Sequence, residues 1–203
     1  MKVTETFVSL QGEGIRQGKV CFFLRLSGCN LRCRWCDTKY SFADGAERSA
    51  DEIADEILKS DVSYVCVTGG EPLLQKDELI TLLKILGEKW IQVDIETNGT
   101  VPFEEVKPYA SICMDVKCPS SGEESDLSLL KKLSKSDTVK FVIGDDADYK
   151  YMTDVLASNS SLAANICVTP VFGCDVNHLA EKIVKDRLAV RFQLQLHKYV
   201  GVK

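Results

Sequence analysis

The chain lacks the features that mark several large classes of protein. Lys and Arg number 25 against 30 Asp and Glu, for a net charge of −5, so a basic face for nucleic acid is not expected. No apolar run approaches the roughly 18 residues that a membrane span needs, and the first residues lack the charged-then-apolar layout of a signal peptide. We therefore expect a cytoplasmic protein that binds neither nucleic acid nor membrane.

Internal repeats, low-complexity tracts and Pro/Gly-rich linkers are also lacking. Hydrophobic residues make up 45% of the 203 residues, which is enough for a substantial core. This length suits one domain of ordinary size, and we predict a single domain over residues 1–203.

Histidine is scarce, with two residues, whereas cysteine is abundant, with nine. An odd number of cysteines in a cytosolic chain argues against a disulfide framework. Four lie in short apolar runs typical of strands and are expected to be buried like small hydrophobes: Cys21, Cys66, Cys113 and Cys167.

Cys29, Cys33 and Cys36 differ, because they form C-x3-C-x2-C in a segment of weak strand and helix propensity. Structural zinc usually takes four N or S ligands, and no fourth Cys or His lies nearby. A ferredoxin-type iron–sulfur cluster also takes four thiolates. Three thiolates would leave one iron of a [4Fe–4S] cluster open, which indicates chemistry at the cluster rather than simple electron storage.

Strand-like and helix-like segments alternate along most of the chain. Strands are predicted at 2–9, 20–27, 64–68, 91–97, 111–117, 138–143, 165–170 and 189–196. Helices are predicted after a capping box at Ser49 and Glu52, and at 76–87, 127–133, 147–158 and 176–186. Residues 28–45 are predicted to be an irregular loop. The alternation predicts α/β architecture with parallel strands, as a doubly wound sheet or a curved, incomplete barrel, because a full eight-fold barrel takes about 250 residues.

Polar residues and glycines follow one strand after another. The cysteines follow the strand 20–27, Thr-Gly-Gly-Glu-Pro begins at residue 68, and Glu-Thr-Asn-Gly begins at residue 96. In either architecture, ligands bind at the carboxyl ends of parallel strands. The sequence therefore predicts a binding site at that edge.

The motifs CNLRCRWC and TGGEP together resemble those of the radical S-adenosylmethionine (SAM) superfamily. Further segments are similar to the 7-carboxy-7-deazaguanine synthase family: ETFVSLQGEG, FLRLSGC, WCDT, ETNGT, KCPSSG, VKFVI and QLHK. The resemblance implies a partial TIM-like β/α barrel of the radical SAM type. It also implies a carbon–nitrogen lyase that contracts the ring of 6-carboxy-5,6,7,8-tetrahydropterin to 7-carboxy-7-deazaguanine with loss of ammonia. That reaction serves 7-deazapurine biosynthesis, toward queuosine or archaeosine.

The same resemblance implies cofactors and partners. The cofactors are a [4Fe–4S] cluster, SAM and Mg²⁺. The partners are the pterin substrate, a flavodoxin- or ferredoxin-type electron donor and a second copy of the chain in a homodimer.

Site residues follow from the resemblance motif by motif. The cluster ligands are Cys29, Cys33 and Cys36, and the Mg²⁺ ligand is Thr38. The SAM-binding residues are Trp35, Cys36, Asp37, Gly70, Glu71, Asp115, Val116, Lys117, Thr169, Pro170, Val171 and Phe172. The substrate-binding residues are Leu10, Gln11, Gly12, Glu13, Arg25, Thr68, His197 and Lys203. Asp115 and Val116 depart from the Ser-Pro common in the family, and only Lys117 matches there.

Arg25 also stands out without the resemblance, because a charge in the middle of a strand is costly unless it is paired. The partner is either a substrate carboxylate or a structural salt bridge. The structural alternatives are that Glu13 is a solvated turn residue, that Thr38 is a simple turn residue and that His197 is a structural histidine.

Two other functions share some of these features. A glycyl-radical activase would share the fold, thiols and cofactor, but it needs a groove for its protein substrate. A non-enzymatic zinc-binding module would contain zinc in place of iron and sulfide.

Overall fold

Nine strands form one sheet in the computed structural model, which describes residues 1–202. The strands are β1 (Lys2–Leu10), β2 (Val20–Leu26), β3 (Ala46–Glu47), β4 (Tyr64–Gly69), β5 (Gln92–Thr97), β6 (Ser111–Val116), β7 (Thr138–Ile143), β8 (Asn165–Pro170) and β9 (Arg191–Phe192). The α-helices are α1 (Ala50–Lys59), α2 (Lys76–Glu88), α3 (Asp146–Ser158), α4 (Val176–Asp186) and α5 (Leu196–Val200). Short 3-10 helices cover Lys39–Phe42, Pro72–Gln75, Pro119–Ser121 and Leu127–Lys132.

The sheet order decides between the two predicted architectures. The order is β3-β1-β2-β4-β5-β6-β7-β8-β9, and β2 and β4 to β9 are parallel and follow one another in chain order. A doubly wound sheet reverses its strand order at a switch point, whereas this sheet winds in one direction. The edge strands β3 and β9 stand at opposite ends of this order and do not pair with each other, so the sheet is an open partial barrel, as predicted. The antiparallel pairing of β1 with β2 and β3 is an addition to that prediction.

The two faces of the sheet differ in polarity, because alternate residues of a strand point to opposite sides. The outer face packs under the helices in the main core, for example with Leu24, Val67 and Ile95. The inner face carries side chains that line a cleft, among them Arg25 and Glu96. The outer face therefore supplies the core, and the inner face is available to the site.

Most predicted elements are confirmed to within one or two residues. The capping box is present: Ser49 Oγ accepts a hydrogen bond from the N–H of Glu52 (3.2 Å), and Glu52 Oε2 accepts one from the N–H of Ser49 (2.8 Å). The four cysteines expected in strands are all buried. The helix predicted at 127–133 is the 3-10 helix Leu127–Lys132.

The strand predicted at 189–196 is wrong over most of its length. Only Arg191 and Phe192 pair with β8, and α5 begins at Leu196. Beyond that pairing, the N–H of Gln193 still donates to the carbonyl of Val168 (2.9 Å), while the Gln193 side chain exchanges two hydrogen bonds with the backbone of Gly14.

No helix within residues 1–202 is long and apolar enough to cross a membrane.

Candidate active site

A cleft of about 500 Å³ opens at the carboxyl ends of the strands, on the inner face of the partial barrel. Most of the predicted site residues line it: Leu10, Gln11, Gly12, Glu13, Arg25, Cys29, Cys33, Trp35, Cys36, Asp37, Thr38, Thr68, Gly70, Asp115, Lys117, Val171, Phe172 and His197. The cleft lining does not include Glu71, Val116, Thr169 and Pro170. Lys203 lies outside the described residues.

The cysteine loop (28–45) forms one wall of the cleft. Cys29, Cys33 and Cys36 all reach the cleft as free, partly exposed thiols. Cys29 Sγ accepts weak hydrogen bonds from the N–H of Leu31 (3.4 Å) and Nδ2 of Asn98 (3.9 Å). Three uncommitted thiols on one wall are the donors that an iron–sulfur cluster requires, with one iron left for another ligand.

Two contacts with the segment after β6 hold the cysteine loop in place. The N–H of Arg34 donates to the carbonyl of Ser121 (2.9 Å), and Trp35 Nε1 donates to Ser120 Oγ (3.1 Å). The Lys117 ammonium lies 5.7 Å from the centre of the Trp35 ring. Trp35 is therefore fixed beside Lys117, at the edge of the cleft that the resemblance assigns to SAM.

Gly69 and Gly70 allow the end of β4 to approach the end of β2. A Cβ at Gly69 would overlap the backbone of Leu26, and one at Gly70 would overlap the carbonyl of Gly28 and the Cβ of Cys29. Gly69 also has φ of 142°, which side chains rarely adopt. The glycines thus set the position of the cysteine loop, in addition to exposing backbone to the cleft.

Glu71 supports the site from beneath. Its buried carboxylate accepts hydrogen bonds from the N–H groups of Leu73 (3.0 Å) and Asn98 (2.7 Å) and from the Thr97 hydroxyl (2.9 Å). Burial raises the pKa of Glu71, and these donors oppose the rise. The Glu71 side chain therefore joins the ends of β4 and β5 rather than entering the cleft.

Arg25 is paired within the protein. Its Nε donates to Glu5 Oε1 at 2.9 Å, and the Tyr40 hydroxyl donates to the same oxygen at 2.9 Å. The salt-bridge alternative is thus present, since Glu5 lies directly opposite Arg25 in the β1–β2 pairing. Arg25 nevertheless lines the cleft, where its guanidinium is fixed beside the rings of Phe7 and Tyr40.

Five charged side chains form an interior cluster at the floor of the cleft: Glu13, Glu96, Asp115, Lys117 and Lys140. Lys140 contacts Glu13 and lies 3.8 Å from Glu96 and 3.7 Å from Asp115, while Lys117 pairs with Asp115 at 2.9 Å. Glu13 is buried here, so it is not a solvated turn residue. Three carboxylates face two ammonium groups, which leaves the cluster one positive charge short when all five are ionised.

The pKa values in the interior cluster reflect this shortage. Burial raises the pKa of Glu96 to about 7, although Lys140 opposes the rise. Burial acts the same way on Asp115, but Lys117 and Lys140 outweigh it and hold the pKa of Asp115 below its usual value. Of Glu96 and Asp115, it is therefore Glu96 that can hold a proton near neutral pH.

Within residues 1–202, the buried side-chain oxygens without hydrogen-bond partners include Asp115 Oδ1 and Thr169 Oγ1. Asp115 lines the cleft, so its oxygen is available to a donor group on a ligand.

The loop after β1 forms the wall opposite the cysteine loop. Gln11 is buried, and its Nε2 donates to the Tyr64 hydroxyl at 3.2 Å. A Cβ at Gly12 would overlap the His197 ring, so glycine is needed for His197 to lie against this loop. The structure thus brings His197 to the cleft beside three substrate-binding candidates from the other end of the chain.

Thr38 lines the cleft as part of the cysteine loop. Its Oγ1 is 3.7 Å from Cys36 Sγ, and its side chain does not cap the 3-10 helix that follows. The hydroxyl faces the cleft and suits a hard cation that takes its other oxygen ligands from substrate and water.

Several cleft residues were missed in the sequence: Glu96, Asn98, Lys140, Gln195 and Lys198. The signal that identified Arg25 was a charged residue inside a strand, and Glu96 and Lys140 show the same signal. Asn98 follows β5 and bonds to Asn30 Oδ1 at 2.9 Å in the cysteine loop.

Comparison with known proteins agrees with this geometry. Residues 24–144 match the Radical SAM superfamily, a stretch that contains the cysteine loop and the glycines after β4. The 7-carboxy-7-deazaguanine synthase of Methanospirillum hungatei is 48% identical over 202 residues, covering 100% of this chain and 86% of the relative. The chain belongs to the 7-carboxy-7-deazaguanine synthase family. It is therefore an enzyme of the radical SAM superfamily, a membership that implies a [4Fe–4S] cluster and SAM.

Other relatives of the synthase family match over nearly the whole chain. The synthase of Koribacter versatilis is 37% identical over 218 residues, covering 98% of this chain and 96% of the relative. Among solved structures, QueE from Escherichia coli matches with a TM-score of 0.77 at 24% identity, over 97% of this chain and 94% of that one. SuiB from Streptococcus suis, solved bound to S-adenosylmethionine, matches with a TM-score of 0.60 at 15% identity, over 88% of this chain and 50% of that one. These two structural likenesses support the fold.

Proposed function

We propose that the chain converts 6-carboxy-5,6,7,8-tetrahydropterin into 7-carboxy-7-deazaguanine with release of ammonia, as a carbon–nitrogen lyase. The observation that carries this proposal is the pairing of two walls across one cleft. The cysteine loop presents Cys29, Cys33 and Cys36, and the loop after β1 presents Gln11 to Glu13. Arg25 lines the cleft from β2, where its guanidinium lies beside Phe7 and Tyr40. A cluster-binding wall thus faces a wall built to hold a small polar molecule.

The cysteine wall would hold the cluster through its three thiolates, and SAM would lie between Trp35, Gly70 and Lys117. When bound, the cluster and SAM supply the one-electron chemistry that activates the substrate. Asp115 adds a buried acceptor oxygen without a partner on this side of the cleft. These residues hold and shield the reactants, while the barrel floor keeps bulk water away from them.

Arg25 would bind the substrate carboxylate. Its Nε is engaged by Glu5, so the guanidinium is oriented before any ligand arrives. Arginine binds carboxylates through two parallel hydrogen bonds, and a fixed orientation lowers the entropic cost of forming them. Gln11, Gly12 and His197 would contact the other edge of the ring, with Leu10 and Thr68 beside it.

Release of ammonia requires proton delivery to the departing nitrogen. Glu96 suits this role, because it reaches the cleft and burial raises its pKa to about 7. Lys117 and Lys140 hold the pKa of the neighbouring Asp115 below its usual value, so the proton stays on Glu96 rather than moving to Asp115.

Mg²⁺ would bind at Thr38. One hydroxyl cannot hold the ion alone, so the substrate and waters would complete its six oxygen ligands. The ion would orient the substrate and offset charge as the ring rearranges.

The decisive experiment is anaerobic reconstitution with iron and sulfide, followed by turnover of the carboxytetrahydropterin with SAM and a chemical reductant. We expect one ammonia for each 7-carboxy-7-deazaguanine formed, and no product from a variant in which all three loop cysteines are alanine. Cleavage of SAM without this product, in a wild-type protein that holds its cluster, would contradict the proposed substrate.

The partners follow from the same proposal. A flavodoxin- or ferredoxin-type protein would supply the electron, the chain would act as a homodimer, and the product would enter queuosine or archaeosine biosynthesis. Replacing the chemical reductant with each class of donor protein, and sizing the protein by light scattering, tests the first two.

A further inference from the structure

The C-terminal strap (193–198) crosses from one wall of the cleft to the other. At one end, the Gln193 side chain exchanges hydrogen bonds with Gly14, donating to its carbonyl (2.7 Å) and accepting from its N–H (3.0 Å). In the middle, the N–H of Leu196 donates to the carbonyl of Gly12 (3.1 Å), and Gln195 Nε2 donates to Glu13 Oε1 (2.8 Å). Three strap residues, Gln193, Gln195 and Leu196, are thus joined to the loop after β1 (11–19), called the substrate-side loop.

The last residue of the strap reaches the opposite wall. Lys198 Nζ lies 2.7 Å from Asp37 Oδ2, and His197 Nε2 lies 3.9 Å from the same oxygen. Asp37 stands between Cys36 and Thr38 in the cysteine loop. Lys198 is thereby the closer of the two strap residues that contact Asp37, in the loop that carries a proposed cluster ligand and the proposed Mg²⁺ ligand.

Polar contacts rather than core packing hold this segment. None of the residues of α5 is buried, and the strap bonds to the sheet through the N–H of Gln193, which donates to the carbonyl of Val168 (2.9 Å). Segments with few buried apolar contacts open at low free-energy cost. The position of the strap therefore depends on its individual hydrogen bonds and ion pair.

We propose that Lys198 is a positioning residue that acts through Asp37. Its ion pair fixes the cysteine loop to the strap, and the strap is fixed to the substrate-side loop, so the two walls move as one unit. When one ligand binds to its wall, it also orders the other wall. Each of the two ligands, SAM and the substrate, therefore raises the affinity of the protein for the other. This inference rests on the proposed function, because it takes SAM and the pterin as the two ligands.

The test measures that mutual effect directly. The dissociation constant of SAM is measured by calorimetry on anaerobically reconstituted protein, with and without the pterin, while the cluster is kept oxidised so that no turnover occurs. We expect the pterin to tighten SAM binding in the wild type by about tenfold, within the usual range for coupled sites. Lys198→Met should reduce this factor to about one, and Lys198→Arg should restore most of it.

A matched control isolates the ion pair. Lys182 pairs with Asp146 at 2.7 Å, and its side chain is 27% exposed against 25% for Lys198, but it lies away from the cleft. Lys182→Met should leave the tightening factor unchanged. Iron, sulfide and the thermal midpoint of each variant show whether the protein is intact.

If Lys198→Met proves too unstable to study, Asp37→Asn and the double variant carry the test. Two residues that act through one contact should give a double variant no worse than either single one. The proposal would be overturned if the pterin did not tighten SAM binding in the wild type. It would also be overturned if Lys198→Met kept the full tightening factor, or if Lys198→Arg lost it. Failure of the proposed function would appear differently, as a wild-type protein that binds its cluster and SAM but not the pterin.

Discussion

Replacing Lys140 by methionine tests the interior cluster most severely. Methionine keeps much of the side chain's length while removing the cation shared by Glu13, Glu96 and Asp115. The side chains concerned are no more than 17% exposed, so water screens the change poorly. Removing one partner of a buried ion pair costs about 3–5 kcal/mol.

That loss converts into a measurable shift of the thermal midpoint. For a chain of this size, 1 kcal/mol corresponds to roughly 2–4 °C, so a loss of about 3–5 kcal/mol should make Lys140→Met unfold about 6–20 °C below the wild type. The measurement is anaerobic thermal unfolding of the reconstituted protein, followed by circular dichroism. Lys150→Met is the control, because its pair with Asp154 is largely exposed and is worth about 1 kcal/mol or less.

The loss of folding stability caused by Lys140→Met, called its deficit, should depend on pH in a defined direction. Glu96 has a pKa of about 7 in the folded protein against about 4.3 when unfolded, so the folded state binds more protons between these values. The contribution of Glu96 to wild-type stability therefore falls as pH rises through that window and levels off above it. Lys140 lowers this pKa, so without it the window extends to higher pH.

The deficit of Lys140→Met should accordingly be larger at about pH 8.5 than at about pH 6. Adding Glu13→Gln should recover part of it, since one carboxylate fewer is left without its cation. An unfolding midpoint within about 2 °C of the wild type at about pH 8.5, or a deficit that does not shrink toward pH 6, would refute the reasoning.

Three further predictions concern the walls of the cleft. Replacing all three loop cysteines by alanine should leave secondary structure intact, because the thiols lie outside the core, and should abolish bound iron and sulfide. Stoichiometric iron in that variant would contradict the cluster assignment. Gly70→Ala should impair cluster incorporation, since its Cβ would overlap the cysteine loop, and normal iron content with a normal thermal midpoint would show that the loop can shift. Arg25→Ala should weaken pterin binding by roughly 2–5 kcal/mol while SAM binding persists, as separate titrations would show, and equal loss of both would point to a purely structural pair with Glu5.

The response to Mg²⁺ belongs with these predictions. Thr38→Ala should keep the cluster but lower turnover and flatten its dependence on Mg²⁺ concentration, because the hydroxyl is the proposed protein ligand. An unchanged Mg²⁺ dependence would return Thr38 to an ordinary turn residue.

The regular part of the fold could be predicted because local signals agree there with tertiary packing. Strands β4, β7 and β8 are short, mostly apolar runs bounded by turns, and the helices begin at recognisable caps such as Ser49. The segment 189–196 has the same apolar alternation as a strand, but it ends the sheet after two residues. Its course is decided by hydrogen bonds to a loop near the other end of the chain, which local sequence does not record.

In the site, too, local sequence patterns predict some features, and tertiary contacts decide the others. The spacing of the cysteines identifies the cluster wall, because a metal centre imposes its spacing on the sequence. The partner of Arg25 could not be identified, since Glu5 comes opposite it only through the register of β1 on β2. Glu96 and Lys140 could have been found, because each is a charged residue inside a strand, as Arg25 is.

The open barrel explains why so many charges can lie inside strands. The outer face of the sheet packs against α1 and α2 through fully buried residues such as Leu24, Ile53 and Leu79, and this packing supplies a continuous apolar core. The inner face is therefore not needed for that core, and it can carry Lys140 and its carboxylates provided that they pair with one another. A closed eight-stranded barrel would fill this space with packed side chains. Because the sheet stops at β9, the interior space remains a cleft, and the C-terminal strap bridges the remaining gap with polar contacts. Stability therefore comes from the outer face of the sheet, and chemistry from the inner face.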